Sequence, residues 1–154
     1  MNNALEPMRV LLGSDHAGAD LRAVLAEYLR AQGHVVTDLG GTREQVCDFP
    51  DVAADLANRL AGEQGARGIL ICGSGVGMCM AANKVAGVRA ALAHDVYSAH
   101  QGVEHDDANV LCLGARVIGI ALAQDLVDAF LRARFDDRPD FVRRVAKLGA
   151  LERC

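Results

Sequence analysis

The chain has 154 residues, of which 51% are hydrophobic and 23% are charged, and its formal net charge is -4. These values are typical of one globular domain with a single core, and the acidic balance gives no support for nucleic acid as a partner. No apolar run approaches the roughly 20 residues of a membrane helix, and residues 1–8 contain no recognisable secretory signal. We therefore expect no membrane association. The five cysteines are odd in number and form no Cys-x-x-Cys pair, which favours a reducing, cytoplasmic location.

Apolar segments with strand-like and helix-like periodicity alternate along the chain. The predicted strands are residues 9–13, 34–39, 68–72, 88–93 and 110–113. The predicted helices are residues 17–32, 52–60, 76–84, 95–104, 119–134 and about 140–152. Short strands with intervening helices predict a five-stranded parallel sheet that is covered on both faces. The expected fold is thus a Rossmann-like, three-layer α/β/α sandwich, with residues 1–154 forming one domain.

The third predicted strand ends in a glycine-rich segment, which runs from Cys72 to Gly77 and precedes a helix. In parallel sheets of this kind, ligands bind beyond the carboxyl ends of the strands. A loop between a strand and a helix directs several backbone N–H groups at one point, where negative charge is favoured. The Cys72 thiol would face that point, and a proton acceptor beside an anion-binding loop indicates an enzyme. The alternative is that Cys72 is only a small core residue, like the packing residues predicted at 78–80.

This glycine loop differs from the common nucleotide and phosphate motifs. Gly77 comes one residue too early for the dinucleotide-binding fingerprint, and no Gly-Lys-Ser/Thr follows as in a nucleotide P-loop. A Cys-x5-Arg phosphatase loop would need arginine at the position of Met78. The sequence therefore predicts no cofactor site.

Other polar residues follow the first, fourth and fifth predicted strands, namely Asp15, His16, His94, Asp95 and Arg116. Asp15 also fits a plain helix N-cap. His105 and Asp106 precede the fifth strand, so they lie at its opposite end and would join the others only from a neighbouring subunit. A divalent metal is a further alternative, with ligands from Asp15, His16, His105, Asp106 and Asp107. We expect none, because neither His-x-x-x-His nor a carboxylate triad accompanies them.

Several motifs, in one order, resemble the ribose-5-phosphate isomerase B family, which also includes the galactose-6-phosphate isomerase subunits. The likeness extends from Arg9 to about Leu148, and its most specific segments are residues 13–18, 48–50, 72–77, 81–84 and 104–111. The resemblance implies interconversion of D-ribose 5-phosphate and D-ribulose 5-phosphate through a cis-enediolate, without a metal or cofactor.

The resemblance also implies a role for each site residue. Cys72 would move the proton between C2 and C1, and Ser74 would help to move a proton between O1 and O2. His105, assisted by Asp15, would open the furanose ring. The implied substrate-binding positions are His16, Phe49, Gly73, Gly75, Val76, Gly77, Asp106, Arg116 and Arg144.

The resemblance further implies a homodimer, or a dimer of such dimers, in which each active site is shared between two subunits. His105 of the partner subunit would then reach Cys72, and the C-terminal helix would dock on the partner subunit.

The C-terminal segment departs from the Arg-His-x-x-Arg pattern that is usual in the family. In the register that ends at Arg144, Asp140 and Phe141 occupy the first two positions. A carboxylate there would repel a phosphate, so either Arg138 or Arg143 substitutes, or the substrate differs. The sequence thus leaves open an isomerase of a hexose or tetrose phosphate. It also leaves open a non-catalytic subunit that binds sugar phosphates, although the intact catalytic motifs argue against it.

Overall fold

The computed structural model describes residues 6–153, so most of the segment in which no signal was recognised lies outside the described residues. The strands are β1 (Arg9–Ser14), β2 (Val35–Asp38), β3 (Arg67–Cys72), β4 (Ala90–Leu92) and β5 (Val110–Gly114). The α-helices are α1 (Ala19–Ala31), α2 (Phe49–Ala61), α3 (Val76–Ala82), α4 (Val96–Asp106), α5 (Ile120–Arg132) and α6 (Pro139–Ala150). Short 3-10 turns precede α1 and follow α6. No helix among the described residues is long and apolar enough to span a bilayer.

The five strands form one parallel sheet in the order β2-β1-β3-β5-β4. The strand order reverses direction between β1 and β3, which places a crevice beyond the carboxyl ends of these two neighbours. The predicted α/β class and parallel sheet are confirmed.

Two apolar layers cover the two faces of the sheet. Alternate residues of a strand point to opposite faces, so Ile69 and Ile71 pack with α1, α4 and α5, whereas Leu70 and Cys72 pack with α2 and α3. Cys72 therefore lies on the same face as the helix that follows its loop.

Some element bounds differ from the prediction, and local capping explains them. Asp15 caps a 3-10 turn, so α1 begins only at Ala19. The predicted helix 76–84 ends at Ala82, because the Asn83 side chain binds the backbone N–H and C=O of Ala90 at 2.8 and 2.9 Å. This contact ties the end of α3 to β4.

Helix α6 makes few contacts with the rest of the chain. Its buried side chain is Phe141, whereas Val142 and Leu148 are each 46% exposed. On α3, Met78 is fully buried as predicted, but Met80 is 65% exposed, so the prediction that it packs inside was wrong for the isolated chain. Apolar side chains thus remain uncovered on both α3 and α6.

Candidate active site

The Cys72 side chain lies at the carboxyl end of β3 and is 5% exposed. The backbone N–H of Gly75 donates to its sulfur at 3.1 Å. A fixed N–H donor stabilises negative charge on the sulfur. The Cys72 sulfur therefore has a fixed hydrogen-bond donor at the end of the strand, which a plain core cysteine does not need.

Two glycines are required by the loop geometry. Gly75 has φ +79°, and a Cβ atom on it would lie 2.6 Å from Leu92 Cδ1. A Cβ atom on Gly77 would lie 2.8 Å from a ring carbon of Phe49. The Phe49 ring therefore covers the first turn of α3. Phe49 is 38% exposed, so it forms a wall of the site rather than part of the core.

Ser74 and Arg116 lie against the same loop. The Ser74 hydroxyl is exposed and accepts from the Val76 N–H at 3.3 Å. The backbone N–H of Arg116 donates to Gly73 O at 3.0 Å, and a Cβ on Gly73 would lie 3.2 Å from Arg116 Nη1. Within residues 6–153, the Arg116 guanidinium forms no ion pair. It is therefore an exposed cation at the rim of the loop.

Asp15 and His16 reach this edge from β1. The Asp15 N–H donates to Ile71 O at 3.2 Å, which joins the two strand ends. One carboxylate oxygen of Asp15 accepts hydrogen bonds from Ala17 N and Gly18 N, so Asp15 is the predicted N-cap. Its other carboxylate oxygen takes no part in the cap. His16 Nδ1 is buried and has no hydrogen-bond partner. Buried polar atoms without partners are rare. The unpartnered Nδ1 of His16 therefore indicates, beside the Cys72 sulfur, that a ligand binds at this edge of the sheet.

His94 also lies at this edge, where its ring binds the protein backbone. Its Nε2 accepts from the Gly114 N–H at 2.9 Å, which fixes the end of β5. The sequence predicts His94 at this edge but no role for it, because no local pattern indicates an acceptor for a distant backbone N–H.

His105 and Asp106 do not join Cys72 within one chain. They lie in the last turn of α4, which starts after the carboxyl end of β4 and ends before the amino end of β5. They therefore lie at the opposite edge of the sheet, as the order of elements predicts. His105 Nδ1 is 2.8 Å from Gln101 Nε2, and the His105 ring stacks on Phe141 with 4.2 Å between centroids.

The C-terminal arginines surround Phe141. The Arg138 guanidinium carbon lies 4.3 Å from the Phe141 centroid, a contact that is favourable for a cation on an aromatic face. The His105 ring and the Arg138 guanidinium both lie within 4.3 Å of the Phe141 centroid, which leaves no room for both on one face of the ring. Phe141 therefore lies between them. Arg144 lies farther away, at 5.7 Å from the centroid, and pairs with Asp140 at 3.4 Å. The unexpected carboxylate is thus neutralised by its neighbour one turn along the helix.

A cleft of about 880 Å³ lies between the end of α3, the start of β4 and the end of α6. Its lining includes Asn83, Asp106 and Leu148, and it does not include Cys72. Among residues 6–153, no group of three or more His, Cys, Asp or Glu side chains is arranged to hold a metal ion.

Comparisons with known proteins show the family of this chain. A family model described as Ribose/Galactose Isomerase matches residues 10–148. A D-erythrulose-4-phosphate isomerase of Pectobacterium atrosepticum is 42% identical over 147 residues, which cover 94% of this chain and 95% of that protein. Ribose-5-phosphate isomerase B of Escherichia coli is 41% identical over 128 residues, covering 83% of this chain and 86% of that protein.

Solved structures give the same result. The structure of ribose-5-phosphate isomerase B from Clostridium thermocellum matches with a TM-score of 0.90 and 41% identity, covering 95% of this chain and 98% of that one. The fold and these relatives together identify an enzyme that isomerises sugar phosphates. The chain belongs to the ribose/galactose isomerase family, the family of ribose-5-phosphate isomerase B.

Proposed function

We propose that this isomerase interconverts D-ribose 5-phosphate and D-ribulose 5-phosphate through a cis-enediolate, with Cys72 as the base. The observation that supports this most is the Cys72 sulfur at the carboxyl edge of the sheet, 3.1 Å from a loop N–H. The name of the Escherichia coli relative supports the choice of a pentose phosphate.

The proposed chemistry needs both a base and fixed donors. A C–H beside a sugar carbonyl is a weak acid, so the negative charge that develops on oxygen must be stabilised as the proton leaves. The backbone N–H groups of residues 73–77 would hold O1 and O2, and one such donor is typically worth ~3 kcal/mol of barrier. Cys72 would take the proton from C2 and return it to C1. The exposed Ser74 hydroxyl would move the proton between the two oxygens.

Phosphate binding would orient the sugar over the thiol, because remote binding energy lowers the barrier at the reacting carbon. We assign this role to His16, whose Nδ1 lacks a partner, and to Arg116, which has no ion pair among the described residues. From the partner subunit we assign it to Arg144 and to Arg138, since Arg138 packs on the same aromatic ring as His105. Arg143 forms no contact of that kind among residues 6–153.

We propose a homodimer in which His105 and Asp106 of the partner subunit complete each site. Three features support it: His105 lies at the edge of the sheet opposite Cys72, Met80 and Leu148 expose apolar surface, and Asp106 opens into the 880 Å³ cleft. The C-terminal helix α6 would dock on the partner subunit. A cytoplasmic location is proposed as well, with support from the four free cysteines among the described residues.

A tetrose phosphate is the second candidate substrate. Two relatives, at 42% and 38% identity, are named D-erythrulose-4-phosphate isomerases. Phe141 also favours a shorter sugar, because an apolar ring beside His105 offers no hydrogen bond to an additional hydroxyl.

Ring chemistry separates the two candidates. D-ribose 5-phosphate closes through O4 to a furanose, whereas in a tetrose 4-phosphate O4 is esterified and no furanose forms. If the pentose is the substrate, His105→Ala lowers turnover of D-ribose 5-phosphate far more than turnover of the open-chain ketose. A tetrose phosphate isomerase would not depend on His105 for ring opening.

The deciding experiment measures kcat/KM for D-ribose 5-phosphate and D-erythrulose 4-phosphate in the presence of a chelator, with wild type and Cys72→Ala. A higher value for the pentose, abolished in the variant, supports the proposal. A higher value for the tetrose supports the second candidate, and retained turnover in Cys72→Ala refutes the proposed base. Binding of both sugars without turnover would identify a non-catalytic subunit.

A further inference from the structure

A polar contact near the end of α4 is not used by the proposed mechanism. The Nε2 atom of Gln101 lies 2.8 Å from Nδ1 of His105, one turn along the same helix. Residues four apart share one face of a helix, so the long side chain at 101 reaches the ring at 105. The contact therefore acts on the imidazole that we assign to the partner subunit's site.

The chemistry of these two atoms decides where the proton of the imidazole lies. A side-chain amide nitrogen carries two hydrogens and can only donate, so His105 Nδ1 accepts. A neutral imidazole has one donor nitrogen and one acceptor nitrogen. When Nδ1 accepts, the proton lies on Nε2. Since Gln101 occupies Nδ1, Nε2 is also the nitrogen that remains to meet a substrate.

The surrounding side chains restrict the ring further. The Phe141 ring stacks on the His105 ring, with 4.2 Å between centroids and 20° between the two planes. Phe141 is buried, so this stack fixes the plane of the imidazole, whereas Gln101 fixes the edge at which Nδ1 lies. The carboxylate of Glu104, the residue before His105, pairs with His100 at 3.3 Å. Gln101 is thus the side chain that binds Nδ1.

We propose that Gln101 is a positioning residue that holds His105 in the tautomer with its proton on Nε2. His105 then presents a hydrogen-bond donor, and no proton acceptor, to the sugar phosphate in the partner subunit's site. The matching group is a sugar oxygen, which is the ring oxygen of a furanose or a carbonyl or hydroxyl oxygen of an open chain. This proposal deepens the proposed function and rests on it, because His105 has to reach the substrate. The tautomer itself needs no substrate, so the two proposals can fail separately.

The first test records the NMR signals of the imidazole nitrogens in the enzyme without substrate, at a mildly alkaline pH at which histidines are neutral. The signal of a ring nitrogen that carries the proton is well separated from that of one that does not. The chain contains its own references. His34 Nδ1 accepts from the Met8 N–H at 3.2 Å, and His94 Nε2 accepts from the Gly114 N–H at 2.9 Å. Because a backbone N–H can only donate, the proton lies on Nε2 in His34 and on Nδ1 in His94.

We expect the signals of His105 to match those of His34. In Gln101→Glu the carboxylate can only accept, so the proton should move from Nε2 to Nδ1, as in His94. Gln101→Met keeps the length of the side chain without the hydrogen bond and should give a mixture of the two tautomers. The control Gln64→Glu, exposed in the turn before β3, adds the same charge and should leave the His105 signals unchanged. A proton on Nδ1 in wild type, or one that stays on Nε2 in Gln101→Glu, overturns the proposal.

The second test measures kcat and KM of the same variants with D-ribose 5-phosphate and D-erythrulose 4-phosphate. Loss of the donor at Nε2 should lower kcat of Gln101→Glu about tenfold or more, with little change in KM, because the phosphate contacts are kept. Gln101→Met should lose less, and Gln64→Glu should match wild type. Wild-type kcat in Gln101→Glu, with Nε2 unprotonated, would overturn the role of His105 as a donor. If wild type turns over neither sugar phosphate, the proposed function fails, whereas the NMR signals still decide the tautomer.

Discussion

Mixing two inactive variants should restore activity if each site is shared between subunits. The variants are Cys72→Ala and His105→Ala, which remove side chains from opposite edges of the sheet. In a dimer of one subunit of each kind, one site carries both substitutions and the other carries neither. Random reassortment makes half of the dimers mixed, and one of their two sites is intact. Two-fold symmetry therefore predicts about a quarter of wild-type activity.

The assay follows ketose phosphate formation from D-ribose 5-phosphate after the two variants are dissociated and reassociated together. Different affinity tags on the two variants give the mixed dimer directly, and its activity should be about half that of wild type per dimer. A matched control replaces His105→Ala by Asp15→Asn, a change that keeps the N-cap oxygen. Asp15 and Cys72 belong to adjacent strand ends of one chain, so this mixture forms no intact site.

Isolated mixed dimers of Cys72→Ala and His105→Ala that remain inactive would refute the shared site. Equal recovery in the control mixture would refute it as well, because activity would then not require Asp15 and Cys72 to be intact in the same chain.

Three further substitutions test the packing and the charges. Gly77→Ala should lower kcat/KM about tenfold, because its Cβ meets the Phe49 ring at 2.8 Å and overpacking typically costs about 1–3 kcal/mol; unchanged kinetics would show that the ring moves freely. Tyr28→Phe removes a 3.0 Å hydrogen bond to Asp128 and should lower the free energy of unfolding by about 1 kcal/mol in urea while activity is kept. His34 is buried and accepts from Met8 N, and burial lowers its pKa, so the unfolded chain binds its proton first as pH falls. The free energy of unfolding should therefore decrease below about pH 6.5, and this decrease should be smaller in His34→Gln; equal pH profiles would contradict it.

Some features of the site are local in sequence and were predicted on that basis. The alternation of strand-like and helix-like periodicity predicted five strands and six helices, since that periodicity depends only on which face of each element is buried. The place of Cys72 at the end of a strand and before a glycine loop follows from the same reading. The position of His105 at the far edge also follows, because in a parallel sheet every helix returns the chain to the amino end.

Contacts between residues that are distant in the chain required the tertiary structure. The order β2-β1-β3-β5-β4 places β5 between β3 and β4, and only this order brings the Arg116 backbone onto the glycine loop. The stack of His105 on Phe141 is a contact of the same kind. Periodicity records how much of each side chain is buried, whereas the identity of its neighbour is decided by how whole elements pack.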